Sequence, residues 1–247
     1  MSVEYWLIAS LATSLIAFSK AGFGGGPGVL ATPLMLFVCE PKMAIAIMLP
    51  IMIFCDIWCV IIYGRNCVWG KVFNLLSGFI IGMVIATFLL AGISGQEIWL
   101  RKGIGALVVI FGLLYFLFFK NEKIEKYVPQ NWWFGFIMGI IAGITSTLAH
   151  AASPLTAMYF LSQGQKKDDF MGSIVVYCLI GNSLKIPSYL LTGIMTEQTL
   201  SLTWPLLIIV PIVIAVGWYL NKRLSDISFK GWINAILIGI DLYLIVV

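Results

Sequence analysis

Six long apolar runs constrain this chain more than anything else in it. They cover residues 43–63, 72–93, 98–119, 170–192, 202–220 and 231–247, with 17 to 23 residues in each. A helix needs about 20 apolar residues to cross about 30 Å of hydrocarbon, so each run reads as a membrane span. Composition agrees. Of 247 residues, 61% are hydrophobic and 11% are charged, against about 25% charged in a soluble domain. That is too few to clothe a water-soluble globule. A soluble enzyme, a disordered chain and a nucleic-acid binder are excluded, and the net charge of +4 is no DNA signal. Interior Pro50, Gly82, Gly105, Pro187, Pro211 and Gly239 do not count against helix, because membrane helices tolerate both residue types.

The five cysteines lack the paired spacing of zinc or redox sites. Cys55 and Cys59, one helical turn apart in an apolar run, read as small buried thiols. No basic stretch precedes the first apolar run after Glu4, so that run is read as mature protein rather than a cleaved signal.

Two regions break the pattern. Residues 5–19 are apolar but short, and they run into Gly22-Phe23-Gly24-Gly25-Gly26-Pro27-Gly28 before a second short run at 29–38. Residues 132–150 contain Gly143-Ile144-Thr145-Ser146-Thr147 and are followed by a short segment at 151–161. Each region is read as a pair of short helices joined by irregular backbone inside the membrane. Residues 22–34 lie without gaps over 143–155, with four of 13 positions identical. Each region precedes three full spans. The chain therefore reads as two repeats. The first, 1–125, holds a broken pair at 5–38 and spans 43–63, 72–93 and 98–119. The second, 126–247, holds a broken pair at 132–162 and spans 170–192, 202–220 and 231–247. The charged stretch at 120–126 links them.

Charge placement sets their relation. If each broken pair enters and leaves on one side, Lys and Arg in the loops divide 10 to 3. If each crosses once, they divide 8 to 5. The positive-inside rule favours the first arrangement. It makes the second repeat the inverse of the first and puts both termini on the non-cytoplasmic side. The expected fold is thus an all-α polytopic membrane protein with two inverted-topology repeats. Re-entrant hairpins and paired short crossings both fit the count.

Irregular backbone at membrane depth survives only where protein or water satisfies it. Matching breaks in two inverted halves point to a transport site. Gly24, Gly25 and Gly26 let the chain turn and a ligand approach closely. Pro27 suits the first turn of the helix that follows. Thr145, Ser146 and Thr147 can cap a helix start or donate hydroxyls, and two helix N-termini at mid-depth would suit an anion. The competing reading is that the glycines serve close helix packing. Ionisable groups within the membrane are functional candidates by default: Lys20, Asp56, His150, Lys185 and Asp241. Asn182, Lys185 and Tyr189 share one helical face, a combination suited to an oxyanion. A second register sets Asp56 opposite Lys185. Lys20, Asp56 and His150 are candidates for coupling or gating, with His150 able to take a proton. Lys20 faces the ligand or snorkels to the surface. Trp69, Trp99, Trp132, Trp133 and Trp232 belong to interfacial belts.

The run from Ala21 to Gly28 with Pro33-Leu34, its counterpart at 139–154, and Asn182, Lys185 and Tyr189-Leu190-Leu191-Thr192-Gly193 resemble the sulfite exporter TauE/SafE family over the whole chain. Two departures stand out: Pro27 interrupts the glycine run, and the second break carries Thr145–His150 where members often have more glycine. The resemblance implies a transporter, not an enzyme. It would move small sulfur anions such as sulfite, taurine or sulfoacetate out of the cytoplasm by alternating access, in a bacterial-type inner membrane. A channel-like pore and a proton- or sodium-coupled importer are the alternatives. A single histidine, with no Ser–His or acidic metal constellation, disfavours an intramembrane enzyme. No cofactor or metal is expected. The expected partners are a small anionic substrate and the lipid bilayer, with a homodimer left open and no nucleic acid.

Overall fold

The computed structural model describes residues 1–92, 98, 100–106, 110, 129 and 131–224. Among these, regular structure is helical throughout. The chain forms α1 (Val3–Phe23), a 3₁₀ turn (Gly26–Leu30), α2 (Ala31–Met35), α3 (Pro41–Tyr63) and α4 (Trp69–Gly92). It continues as α5 (Trp132–Ala149), α6 (Ser153–Ser162), α7 (Lys167–Leu191), α8 (Glu197–Leu207) and α9 (Val210–Arg223). The expected spans at 98–119 and 231–247, the linker at 120–126, Trp99, Trp232 and Asp241 fall wholly or largely outside the described residues.

Helix starts follow local chemistry. The Ser2 hydroxyl accepts from the Tyr5 amide at 3.2 Å, and Asn131 Oδ1 accepts from the Phe134 amide at 3.0 Å. Each satisfies one orphan donor of a first turn. Thr196 and Thr199 cap α8 reciprocally. Five helices are long and apolar enough to cross a membrane, and α8 with α9 makes a sixth if the bent pair is one span. Large apolar side chains such as Leu11, Phe88 and Ile212 point outward, as lipid contact requires.

Two expectations need correction. The first apolar run is not short, because α1 continues through Lys20 to Phe23 and reaches 21 residues. Buried Lys20 ends in an ion pair and so can stay within the helix. The run at 202–220 is not one straight span, because α8 and α9 meet at 53°. Pro211 explains the bend. It has no N–H for the Leu207 carbonyl, and its ring crowds that carbonyl. Pro50 and Pro187, in contrast, lie inside continuous helices.

Lipid tails give apolar helices little reason to associate, so close backbone contact must supply the attraction. The α4–α5 seam does this with glycines four apart on both helices. A methyl on Gly78 or Gly82 would stand 1.9 Å from the Phe136 carbonyl oxygen or 2.0 Å from that of Ile140. On Gly139 or Gly143 it would stand 2.2 Å from the Leu75 oxygen or 2.3 Å from that of Phe79. Gly143 therefore serves packing within a helix, not the break. The other main pairings are α1 with α9 and α3 with α7. The last of these runs through the buried centre and carries most of the polar groups described next.

Candidate functional site

Both interrupted helices end in the same turn. Gly24 has φ 74° and His150 has φ 53°, both left-handed. The Gly24 amide donates to the Lys20 carbonyl at 3.1 Å and the Gly25 amide to that of Ser19 at 3.0 Å. The His150 amide donates to the Ser146 carbonyl at 3.1 Å and the Ala151 amide to that of Thr145 at 3.3 Å. The first bond of each pair is the five-to-one bond of a left-handed C-cap, which satisfies a carbonyl orphaned at a helix end. The second reaches further toward the helix start than the corresponding Schellman bond. A tyrosine braces each end. The Tyr63 hydroxyl donates to the Ala21 carbonyl and the Tyr189 hydroxyl to that of Thr147, both at 2.7 Å.

The pairs 24 and 150, 21 and 147, and 63 and 189 all stand 126 positions apart, not the 121 of the gapless alignment. Pro33 and Pro154 do stand 121 apart. The five-residue 3₁₀ turn, Gly26–Leu30, lies between turn and proline in the first copy only and accounts for the difference. A gapless comparison could not register it.

The glycine and threonine roles change accordingly. The Gly24 and Gly25 amides are engaged in the cap and so are not free for a ligand. Gly26 opens the 3₁₀ turn. A Cβ on Gly24 would come within 2.8 Å of Ile174 Cγ2, and one on Gly25 within 3.3 Å of Ser153 Oγ. Thr145, Ser146 and Thr147 lie in the last turns of α5, not in irregular backbone, and they cap no helix start. The hydroxyls of Thr145 and Thr147 donate back to carbonyls of the preceding turn, at 3.0 Å to Ile141 and 2.8 Å to Gly143. The two long helices bring C-termini to the breaks, and α6 contributes an N-terminus.

Between the breaks lies a buried polar core. Lys20 Nζ forms an ion pair and hydrogen bond with Asp56 Oδ1. Asp56 Oδ2 accepts from Asn182 Nδ2 at 2.6 Å. Lys20 thus neither snorkels nor stands free, and the partner of Asp56 is Lys20 rather than Lys185. Positions 56 and 182 are again 126 apart.

Lys185, 0% exposed, donates to the Ser146 carbonyl at 3.2 Å and the Ser146 hydroxyl at 3.1 Å, and lies 3.0 Å from His150 Nδ1. His150 Nε2 is 2.9 Å from the Ile45 carbonyl oxygen. A carbonyl only accepts, so the ring proton sits on Nε2 and Nδ1 accepts from Lys185. The three donors of an ammonium group match three neutral acceptors. No carboxylate is among Lys185's hydrogen-bond partners in the described residues. Among the described residues Lys20 and Asp56 offset each other and no carboxylate bonds to Lys185, so a protonated Lys185 is the cation of this core that lacks a counter-charge there.

A cavity of about 20 Å³ adjoins this core, about the room a single water needs. Its wall includes Ser146, His150, Ser153, Thr156, Tyr177 and Asn182. Lys185 and Tyr189 do not line it, but Lys185 bonds to Ser146 and His150, which do. Ser153, Thr156 and Tyr177 were missed by sequence reasoning. Ser153 carried a signal as the counterpart of Thr32 beside the shared proline. Tyr177 carried none, being one aromatic in an apolar run. Among the described residues no cluster of His, Cys, Asp and Glu has metal-binding geometry.

A family model described as Sulfite exporter TauE/SafE matches residues 9–244. No curated protein and no solved structure gives a significant match to the chain. With nearly the whole length matched and several membrane-crossing helices in place, the chain is a multi-pass membrane protein that belongs to the sulfite exporter TauE/SafE family of sulfur-anion transporters.

Proposed function

We propose that the chain is a secondary transporter that exports sulfite or a small organosulfonate from the cytoplasm by alternating access, with its site between two inverted halves. The observation that carries this reading is the buried amine of Lys185, held among the described residues by neutral groups where α5 is interrupted and beside a cavity. An entering anion gives that ammonium its counter-charge and replaces its own lost hydration with fixed donors. Matching turns, tyrosine braces and the Asp56–Asn182 contact at one common spacing support two related halves, as broken-helix transporters have. The charge split supports an orientation with both termini outside the cytoplasm.

The two breaks contribute differently. Lys20, Asp56 and Asn182 form a neutral strut between α1, α3 and α7. Lys185, Ser146 and His150 form the anion-attracting corner. An interior negative by 100 mV favours exit of a monoanion by about 2.3 kcal/mol, so export needs no coupled ion. That fits a polar core in which Asp56 already has a cationic partner and His150 Nδ1 already accepts from Lys185. Coupled import has correspondingly less support.

Proteoliposomes held at set voltages test this. Sulfite flux is expected to saturate, respond to voltage and show counterflow. Flux that is linear in concentration and lacks counterflow would make the protein a pore, and no sulfite flux at any voltage would remove the assignment.

A further inference from the structure

We propose that Tyr177 is a substrate-binding residue: its phenolic hydroxyl donates a hydrogen bond to an oxygen of the bound anion, with the Ser153 hydroxyl at the start of α6 beside it. The inference rests on the transporter reading above and assigns a residue that neither the sequence motifs nor the family match points to.

Tyr177 is 3% exposed, and its hydroxyl has no hydrogen-bond partner among the described residues. Buried hydroxyls are normally paired, and an unpaired one is costly to hold away from water. Folding alone would be served as well by phenylalanine. The ring packs edge-on to Phe79, with centroids 5.7 Å apart, and to Phe160 at 6.0 Å. Neither contact uses the oxygen. These contacts fix the ring, so the hydroxyl is held in place.

The residue lines the cavity that also contains Ser146, His150, Ser153 and Asn182. Most polar groups on that wall are already committed. The Ser146 hydroxyl accepts from Lys185, both His150 nitrogens are engaged, and Asn182 Nδ2 donates to Asp56. Thr156 Oγ1 donates to the Ser153 carbonyl at 3.0 Å. The phenol of Tyr177 and the hydroxyl of Ser153 are the two wall groups with no hydrogen bond of their own among the described residues, while Ser146 keeps its O–H and Asn182 a second N–H. A phenol is a stronger donor than an aliphatic hydroxyl and suits an anionic oxygen. Lys185, bonded to Ser146 and His150 of that wall, supplies the charge. The combination fits a compact oxyanion whose oxygens diverge from a single central atom.

The test uses the purified full-length protein, sodium sulfite as probe, calorimetric titration for binding and thermal denaturation for folding. Tyr177→Phe is expected to raise the sulfite Kd by about tenfold or more, the effect of losing a hydrogen bond to a charged group. Its melting temperature without sulfite should equal or exceed that of the parent. Ser153→Ala should show a smaller loss in the same direction. Sulfite binding by Tyr177→Phe within twofold of the parent would overturn the assignment while leaving the transporter reading intact. So would a clear fall in its ligand-free melting temperature, which would show that the hydroxyl has a structural partner. If the parent itself bound no sulfite, the transporter reading would fail and this inference with it.

Discussion

The two helix breaks share one backbone device but differ in chemistry. At the first, glycine takes the left-handed turn, and the residue four positions before it, Lys20, reaches Asp56 on α3. At the second, histidine takes the turn, and the residue four before it, Ser146, receives Lys185 from α7. In one copy the cation sits on the interrupted helix and meets a carboxylate. In the other it sits on the facing helix and meets a hydroxyl, a carbonyl and an imidazole. The backbone geometry is kept while the charge balance is not. One break is a neutral strut, and the other holds a lysine with no carboxylate among its described hydrogen-bond partners.

The largest effects expected from this contrast concern the strut. Asp56→Ala strands the Lys20 ammonium and the Asn182 amide in a dry interior. It should cost about 3–5 kcal/mol, as the loss of one partner of a buried pair does. Replacing both partners, as Lys20→Met with Asp56→Leu, should recover most of that stability in thermal melts. If single and double variants fell equally, the strut would not be an ion pair in function.

Lys185→Met should act differently. It strands no carboxylate among its described partners, so the fold persists. Sulfite affinity should drop about tenfold to a hundredfold, as when a counter-charge a few ångströms from a buried anion is lost. Undiminished binding would move Lys185 out of the mechanism.

The turns themselves come next. Gly24→Ala forces a side chain into left-handed backbone and toward Ile174 Cγ2, with an expected cost of about 1–2 kcal/mol. His150→Gly should relieve backbone strain by up to about 1 kcal/mol, so its melting temperature should hold even as the polar corner changes. A large loss of stability there would mean that the imidazole bridge between Lys185 and Ile45 outweighs the turn.

The smallest effects belong to the braces. Tyr63→Phe and Tyr189→Phe should each cost about 1 kcal/mol, and by similar amounts, because they do the same work. Unequal losses in parallel melts would undo the equivalence of the two ends.

Much of the architecture was legible in the chain because membrane spans are written in length and apolarity alone. Residues 43–63, 72–93 and 170–192 lie almost directly over α3, α4 and α7. The breaks were legible as places, since glycine and hydroxyl residues interrupt apolar runs. Their chemistry was less so. Thr145 and Thr147 look like ligands in sequence, but their hydroxyls are absorbed by their own helix. Gly24 and Gly25 look like an anion cradle, but their amides close the cap. The one-faced set Asn182, Lys185 and Tyr189 is buried as its helical spacing implies, yet only Asn182 lines the cavity. Periodicity gives a face but not the depth of each group along it. The bend between α8 and α9 escaped because Pro50, Pro187 and Pro211 look alike in sequence, and packing decides which one breaks its helix. The ion pair between Lys20 and Asp56 depends on a contact between separate helices that no local pattern encodes.

The glycine seam between α4 and α5 has a consequence for motion. Helices whose main chains lie within a methyl group of each other cannot slide or part without losing what binds them. α4, from the first half of the sequence, must therefore travel with α5, from the second. Likewise, Gly217 on α9 fits against the Phe18 carbonyl of α1, where a methyl would come within 2.8 Å of its oxygen. The rigid pieces in any rearrangement are thus hybrids of both halves. Lys20 belongs to one such piece and Ser146 to the other, so the polar core lies where the pieces meet.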